Sequence, residues 1–447
     1  KSAIIKILKK GNEKMGEVLN IKVILILLVF AGITALMISK KLPTLLALPL
    51  LGIVIAIIAG VPFMTPKEEG GQTLMAHVIG GGSVRLASTM MAAIFGAMFA
   101  KVIQKQGVSN TIIRKAAELA GDKPLTIAFV LTAACAVVFS ALGGAGAVIM
   151  VATIVIPLML SAGIKPTVAA GSFLMGLGLG GLFNVANYQF YVDAIGMDME
   201  LVKSTSLVLG IISIVVTAAY ILINVRSKSV RSTWAMPNSN FETKTYEDVN
   251  IFALLSPLVP ILLVFFFKFS AELSLLISVV YTILVTKPSQ IVQIITSSLI
   301  EGIQDVAGVI GLMIGIGILL NGVSATSTVQ LMQPLIGSVL PTSPVPYIII
   351  FTIASPLALY RGPLNLYGLG SGIANVMLAA GTLSPAAIGM ALRSTGVVQG
   401  ISDPTNTHNV IVADFAKVDV NSVLKSTLPY TVLITCLSLI YTAVMIF

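Results

Sequence analysis

GGLFNVANYQFY, Gly180 to Tyr191, and QGISDPTNTHNV, Gln399 to Val410, decide how this chain is read. Each stretch interrupts an apolar helical pattern with amides, hydroxyls or a carboxylate, and the second adds Pro404. In hydrocarbon every backbone N–H and C=O must find a partner, so a broken helix persists only where it lines a cavity enclosed by protein. Paired breaks at matching positions in two halves of a chain point to a transporter's binding site. Taken singly, either stretch also reads as a polar loop at the membrane surface, with Asn and Thr capping helix ends.

The composition around these stretches belongs to a membrane protein. Of 447 residues, 56% are hydrophobic and 10% are charged, and the mean hydropathy is +1.01. A soluble domain carries about 25% charged residues. An all-α polytopic membrane protein is therefore expected. Net charge is +9, but the basic residues cluster between apolar runs, where they set topology and meet lipid headgroups. Membrane lipid is the implied partner, and nucleic acid is not. Cys135 and Cys436 sit in apolar segments without metal-like or redox spacing, so neither a disulfide, a cofactor nor a bound metal beyond a possible Na⁺ is expected. The chain opens at Lys1 rather than Met, which reads as a fragment or a processed form. Residues 1–20 are too charged for a signal peptide and read as an amphipathic surface segment.

A span needs about 20 mostly apolar residues. Ile21–Ser39, Leu42–Phe63 and Leu86–Ile103 qualify, with a polar loop expected from Pro66 to Arg85. Gly107 to Asp122 reads as an interfacial helix. Pro124–Leu160 is apolar but broken at Ser140–Val148, either by a turn between two spans or by a re-entrant hairpin with a glycine-rich tip. Thr167–Phe183 runs into the first break, and Leu201–Ile223 closes the half. The polar run Arg226 to Asn250 is the linker, expected in the cytoplasm. The order then repeats: Ile251–Phe269, Leu273–Val285, Val306–Leu320, an interfacial Val323–Leu340, a broken Pro344–Leu378, Pro385–Val398 into the second break, and Leu428–Phe447.

Residues match as well as order. Gly96, Met98, Ile103 and Gly107-Val108-Ser109 fall on Gly311, Met313, Ile318 and Gly322-Val323-Ser324, and Pro166, Gly181 and Asn187 fall on Pro385, Gly400 and Asn406. Asn184 faces Asp403. The chain therefore divides into a surface segment 1–20, repeat 1 over 21–225, a linker 226–250 and repeat 2 over 251–447. With each interrupted segment a hairpin, each repeat has five crossings, a re-entrant hairpin and a broken helix. An odd count makes this a pair of inverted-topology repeats. Ten basic residues fall on the Lys1 side and fifteen on the other, which puts the linker in the cytoplasm and both termini outside.

A broken helix exposes N–H groups, which attract anions, and C=O groups, which attract Na⁺ or similar cations. Asn184, Asn187, Thr405 and Asn406 are candidate substrate ligands, with Asn409 supplying further amide atoms. Asp403 is a costly carboxylate at membrane depth unless it is paired, protonated or bound to a cation. With Ser402, Thr407 and His408 it forms the candidate site for a coupling ion, H⁺ or Na⁺, His408 being a possible proton carrier. At the hairpin tips, Gly143, Gly144 and Gly146 let backbone approach a ligand, or else serve close helix packing. Arg361 stands opposite Gly143 in the repeat, with Asn365 nearby, and Arg393 follows in the next helix. Guanidinium forks match carboxylates, so the two arginines argue for an organic anion; the competing reading has both snorkelling to headgroups. His77 is placed in a loop without a role, and Asp193, just past the first break, as a cap for the next half-helix.

The order of spans, the interrupted hairpins Ser140–Val148 and Ser355–Gly368, and the breaks NVAN and SDPTN resemble the ion-transporter superfamily of secondary carriers, in particular its gluconate, citrate and C4-dicarboxylate permeases. The resemblance covers the chain from about Ile21 onward. It implies a homodimer in the cell membrane, in a bacterium the inner membrane, whose transport domain moves against a scaffold. It also implies hairpin tips and broken helices forming the site, with Na⁺ or H⁺ coupling. The expected function is thus symport of a small organic anion, a carboxylate, by alternating access. A membrane-embedded enzyme would need a nucleophile–base pair, paired carboxylates or metal-ligand spacing, and none is found. An anion channel is the third reading.

Overall fold

The computed structural model describes residues 21–39, 41–65, 71–225 and 249–446. The surface segment expected over 1–20 and almost all of the linker expected over 226–250 lie outside the described residues. Nine helices of the first half are α1 Ile21–Ile38, α2 Thr44–Ala59, α3 Leu74–Lys105, α4 Val108–Ala120, α5 Pro124–Phe139, α6 Gly144–Ser161, α7 Pro166–Phe183, α8 Tyr188–Ile195 and α9 Met199–Val225. Their counterparts are α10 Ile251–Phe266, α11 Ala271–Thr286, α12 Ile291–Ser324, α13 Thr326–Val339, α14 Pro344–Ala354, α15 Gly370–Ala380, α16 Pro385–Ser402, α17 Thr407–Phe415 and α18 Val420–Met445. The chain is an all-helical, multi-pass membrane protein built from two inverted repeats. Each repeat carries five crossings, a hairpin (α5–α6 or α14–α15) and a broken helix (α7–α8 or α16–α17).

The halves are interleaved. α3 packs on α11 of the other half, and α12 packs on α2. Three helices touch their own counterparts: α3 touches α12, α7 touches α16, and α9 touches α18. The second hairpin has arms of 11 residues each, roughly 16 Å at a helical rise, about half of a ~30 Å hydrocarbon layer. The first is longer, with arms of 16 and 18 residues. Its tip nonetheless ends against the first break, where Asn184 Nδ2 donates to Leu142 O at 3.4 Å.

Three boundaries differ from the sequence expectation. The loop expected up to Arg85 is helical from Leu74 onward, first with π geometry over Leu74–Gly81, and His77 lies in this helix rather than in a loop. Gly80-Gly81-Gly82 looks like a turn, but here it is a packing surface. A Cβ on Gly82 would stand 2.7 Å from Ile318 Cα, and one on Gly317 would collide with Gly82 O. Close backbone approach of this kind is how membrane helices associate. The span expected over Val306–Leu320 lies in the second half of the 34-residue α12, whose Asp305 and Glu301 are neutralised at 2.7 Å by Lys101 and Lys105 of α3. Ile251–Phe269 is bent into short segments at Pro257 and Pro260, because proline removes a backbone donor and clashes with the preceding turn.

Candidate functional site

The two breaks are hydrogen-bonded alike. Asn184 and Asp403 both leave the helical region, with ψ near 109° and 115°. Asn184 Oδ1 accepts from Ala186 N at 3.1 Å, and Asp403 Oδ1 accepts from Thr405 N at 2.8 Å. Asn187 Nδ2 donates to Gly181 O at 3.2 Å, and Asn406 Nδ2 to Gly400 O at 3.5 Å. Each break thus starts with an Asx turn and ends with an amide reaching back to the last helical turn. Side chains here satisfy backbone groups that lipid could not.

Between the breaks lies a cavity of about 150 Å³ lined by Asn187, Tyr188, Tyr191, Tyr367, Arg393 and Gln399, with Gly181 and Gly400 among its backbone walls. Methyl groups built on Gly181 or Gly400 would meet nothing within 4 Å, so their backbone is open to an occupant. Arg393 is 2% exposed, which excludes a headgroup-snorkelling role. Its Nη1 donates to Val202 O at 2.7 Å and to Thr205 Oγ1 at 2.8 Å, and its Nη2 to Ser206 Oγ, all on α9. Its guanidinium carbon lies 5.1 Å from the Tyr191 ring centre and 5.8 Å from that of Tyr188, within cation–π range. Among the described residues no carboxylate pairs with it, and its Nε has no hydrogen-bond partner. A buried, uncompensated cation favours an anion in the adjoining space.

The remaining candidates divide. Asn365, 1% exposed, accepts from Tyr367 N at 2.9 Å and so positions a ring that stacks on Phe190 at 4.4 Å and lines the cavity. Arg361, expected beside it in the site, is instead half-buried at the hairpin tip, outside the cavity lining. Tyr360 and Arg361 both have positive φ, 57° and 56°, a costly conformation for non-glycine residues that surrounding structure must impose. Gly143, Gly144 and Gly146 are likewise not in the lining. Gly144 has φ +83°, and a Cβ on Gly146 would point at Asp305 Oδ2, 3.8 Å away. Thr405 serves the Asp403 carboxylate through its hydroxyl as well, at 2.7 Å, not the cavity.

Asp403 is 0% exposed and its Oδ2 has no partner among the described residues. Asn409 Oδ1 is also buried and unpartnered, while Asn409 Nδ2 donates to Asp403 O at 2.9 Å. Ser402, grouped with Asp403 from sequence, is spent elsewhere: its hydroxyl bonds Thr427 at 2.8 Å and Thr431 at 3.1 Å on α18. Thr407 is exposed, and His408 is half-buried. Among the described residues no three His, Cys, Asp or Glu side chains gather as metal ligands.

The sequence reading missed Tyr188, Tyr191, Tyr367 and Gln399. Tyr188-x-x-Tyr191, one helical turn apart just after the break, was the available signal. Asp193 lies within α8 rather than at the start of the next half-helix. Its Oδ2 accepts from Thr89 N at 3.0 Å and Thr89 Oγ1 at 2.7 Å, and so ties α8 to α3. A larger cavity, about 370 Å³, lies among α1, α2, α12, α13 and α15. Its lining is apolar apart from Thr328, so it has nothing to orient an anion. Cys135 and Cys436 are free thiols.

No protein-family model matches this sequence, and no curated protein matches it by sequence. Solved structures do match its fold. The YdaH transporter of Alcanivorax borkumensis, described as having an unusual topology, superposes with a TM-score of 0.59 at 13% identity, over 90% of this chain and 97% of that one. MtrF of Neisseria gonorrhoeae, described as illuminating a class of antimetabolite efflux pumps, superposes with a TM-score of 0.53 at 12% identity, over 89% of this chain and 93% of that one. Across nearly its whole length, the chain has the fold of these membrane transporters.

Proposed function

We propose that this protein is a secondary active transporter of a small organic anion, a carboxylate, coupled to H⁺ or Na⁺ and working by alternating access. The observation that carries the reading is Arg393, a buried guanidinium with no carboxylate partner among the described residues, in a cavity shared by two broken helices. Asn187, Gln399 and the open backbone at Gly181 and Gly400 supply the polar contacts around it. Asp403 and Asn409, with unpartnered oxygens, take the coupling cation. The fold likeness to YdaH and MtrF supports a transporter. The resemblance to the gluconate, citrate and C4-dicarboxylate permeases, the homodimer and the bacterial inner membrane are parts of the same proposal. MtrF favours a second reading of direction, export rather than uptake; the same site serves either.

The test is a thermal-shift screen of purified protein with gluconate, citrate and succinate, with and without Na⁺ and at two pH values. A ligand that binds only the native state raises its melting point. Proteoliposome uptake under an imposed Na⁺ or pH gradient follows. Stabilisation by a carboxylate and uphill uptake are expected. Turnover of the compound without a gradient would move the protein to the enzymes, and flux without accumulation would move it to the channels.

A further inference from the structure

The two breaks share a backbone design but differ in electrostatics. In the first, Asn184 Oδ1 accepts from Ala186 N, and its Nδ2 donates to Leu142 O at the hairpin tip. Neither Asn184 nor Asn187 holds a buried polar atom without a partner. In the second, Asp403 replaces the amide with a carboxylate. It receives Thr405 N and Oγ1 on Oδ1 and, among the described residues, nothing on Oδ2, although the side chain is fully buried. Asn409, 1% exposed, adds a second orphaned oxygen, and its amide is bonded to the Asp403 carbonyl. Among the described residues two buried acceptors, one of them a carboxylate oxygen, therefore have no hydrogen-bond partner. Among the described residues no charged or titratable side chain, His408 and Asp414 of α17 and Lys425 of α18 included, hydrogen-bonds or ion-pairs with Asp403.

A buried anionic oxygen without a donor is stable only when something positive reaches it. In the first break, the amide N–H of Asn184 already delivers positive hydrogen to the Leu142 carbonyl at the hairpin tip. We infer that one monovalent cation, H⁺ or Na⁺, enters at the second break in each transport cycle and none at the first, where the Asn184 amide stands in for it. The inference rests on the coupled-carrier reading and deepens it by setting the coupling ratio at one.

The experiment is uptake of whichever of gluconate, citrate and succinate the protein transports, in proteoliposomes with the membrane potential clamped at zero. One arm imposes a Na⁺ gradient at equal pH; the other imposes a pH gradient without Na⁺. By mass action a tenfold gradient of the driving cation then supports about tenfold accumulation for one cation and about a hundredfold for two. Wild type is expected to follow the first power. Asn184→Asp places a second carboxylate opposite the hairpin tip and is expected to follow the second power. Asp403→Asn, nearly isosteric, gives the second break the residue of the first and is expected to lose cation-dependent accumulation. A second-power law in wild type overturns the inference alone. So does a folded Asn184→Asp that stays at the first power, or an Asp403→Asn that still accumulates substrate. Uptake that neither gradient drives overturns the coupled-carrier reading and this inference with it.

Discussion

Arg393 shows what one residue reveals at each stage. Its charge inside an apolar helix marked it as functional or snorkelling, because intramembrane charge is expensive. Only its surroundings separate the two readings. Three of its hydrogen bonds reach α9, close to 190 positions away in sequence, and two tyrosines face its guanidinium. Arg361 carried the same sequence signal but sits at a hairpin tip outside the cavity. Likewise Ser402 and Asp403 are adjacent in sequence, yet one hydroxyl is tied to α18 while the other side chain keeps an orphaned oxygen. We expect Arg393→Lys to keep the charge but lose the planar fork that binds α9. Carboxylate affinity, measured by calorimetry on purified protein, should weaken by about tenfold or more, some 1.4 kcal/mol. An unchanged affinity would remove Arg393 from the site.

At the scale of the element, glycine was the residue hardest to read. Gly80-Gly81-Gly82 looks like a loop in sequence, but close helix packing makes it helical. Gly82 and Gly317 bring α3 and α12 into backbone contact, and Gly52 does the same for α2 and α12, where a Cβ would stand 2.6 Å from Leu319 Cα. These contacts are backbone to backbone, so no rotamer change can relieve an added side chain. Gly317→Ala should therefore destabilise by about 1–3 kcal/mol, the usual cost of overpacking, seen as a lower melting temperature in detergent. Asp193→Asn at the α8–α3 junction should cost less, about 1 kcal/mol, as the loss of an N-terminal cap does. A larger melting loss for Asp193→Asn than for Gly317→Ala would reverse this ranking of packing over capping. The breaks were the easier elements: Asn, Asp and Pro in an apolar helix have few uses at membrane depth, and the same hydrogen bonds recur in both copies.

For the whole molecule, the decisive feature is a cavity that neither repeat builds alone. Tyr188 and Tyr191 come from the first repeat, and Tyr367, Arg393 and Gln399 from the second. A site between two inverted halves can open to either side as one half moves against the other. After Cys135 and Cys436 are replaced by alanine, a cysteine at Gln399 should react with a membrane-impermeant maleimide from each side of the bilayer in turn, and carboxylate substrate should slow both reactions. Labelling from one side under every gradient would argue against alternating access.

How much of this was legible in advance follows from what lipid demands of a chain. Hydrocarbon tolerates few charges and no unsatisfied backbone, so composition, span length and the repeated interruptions were enough to establish an all-helical membrane protein made of two inverted copies, and to point at Asn187 and Arg393. Which way each side chain faces was not legible there. Rotation about the helix axis, the path of a hairpin tip and the meeting of Arg393 with α9 depend on packing between segments far apart in sequence. That packing separated the cavity-lining Arg393 from the tip-bound Arg361, and among the described residues it left Asp403 with a buried carboxylate oxygen that has no partner while Ser402 is tied to α18.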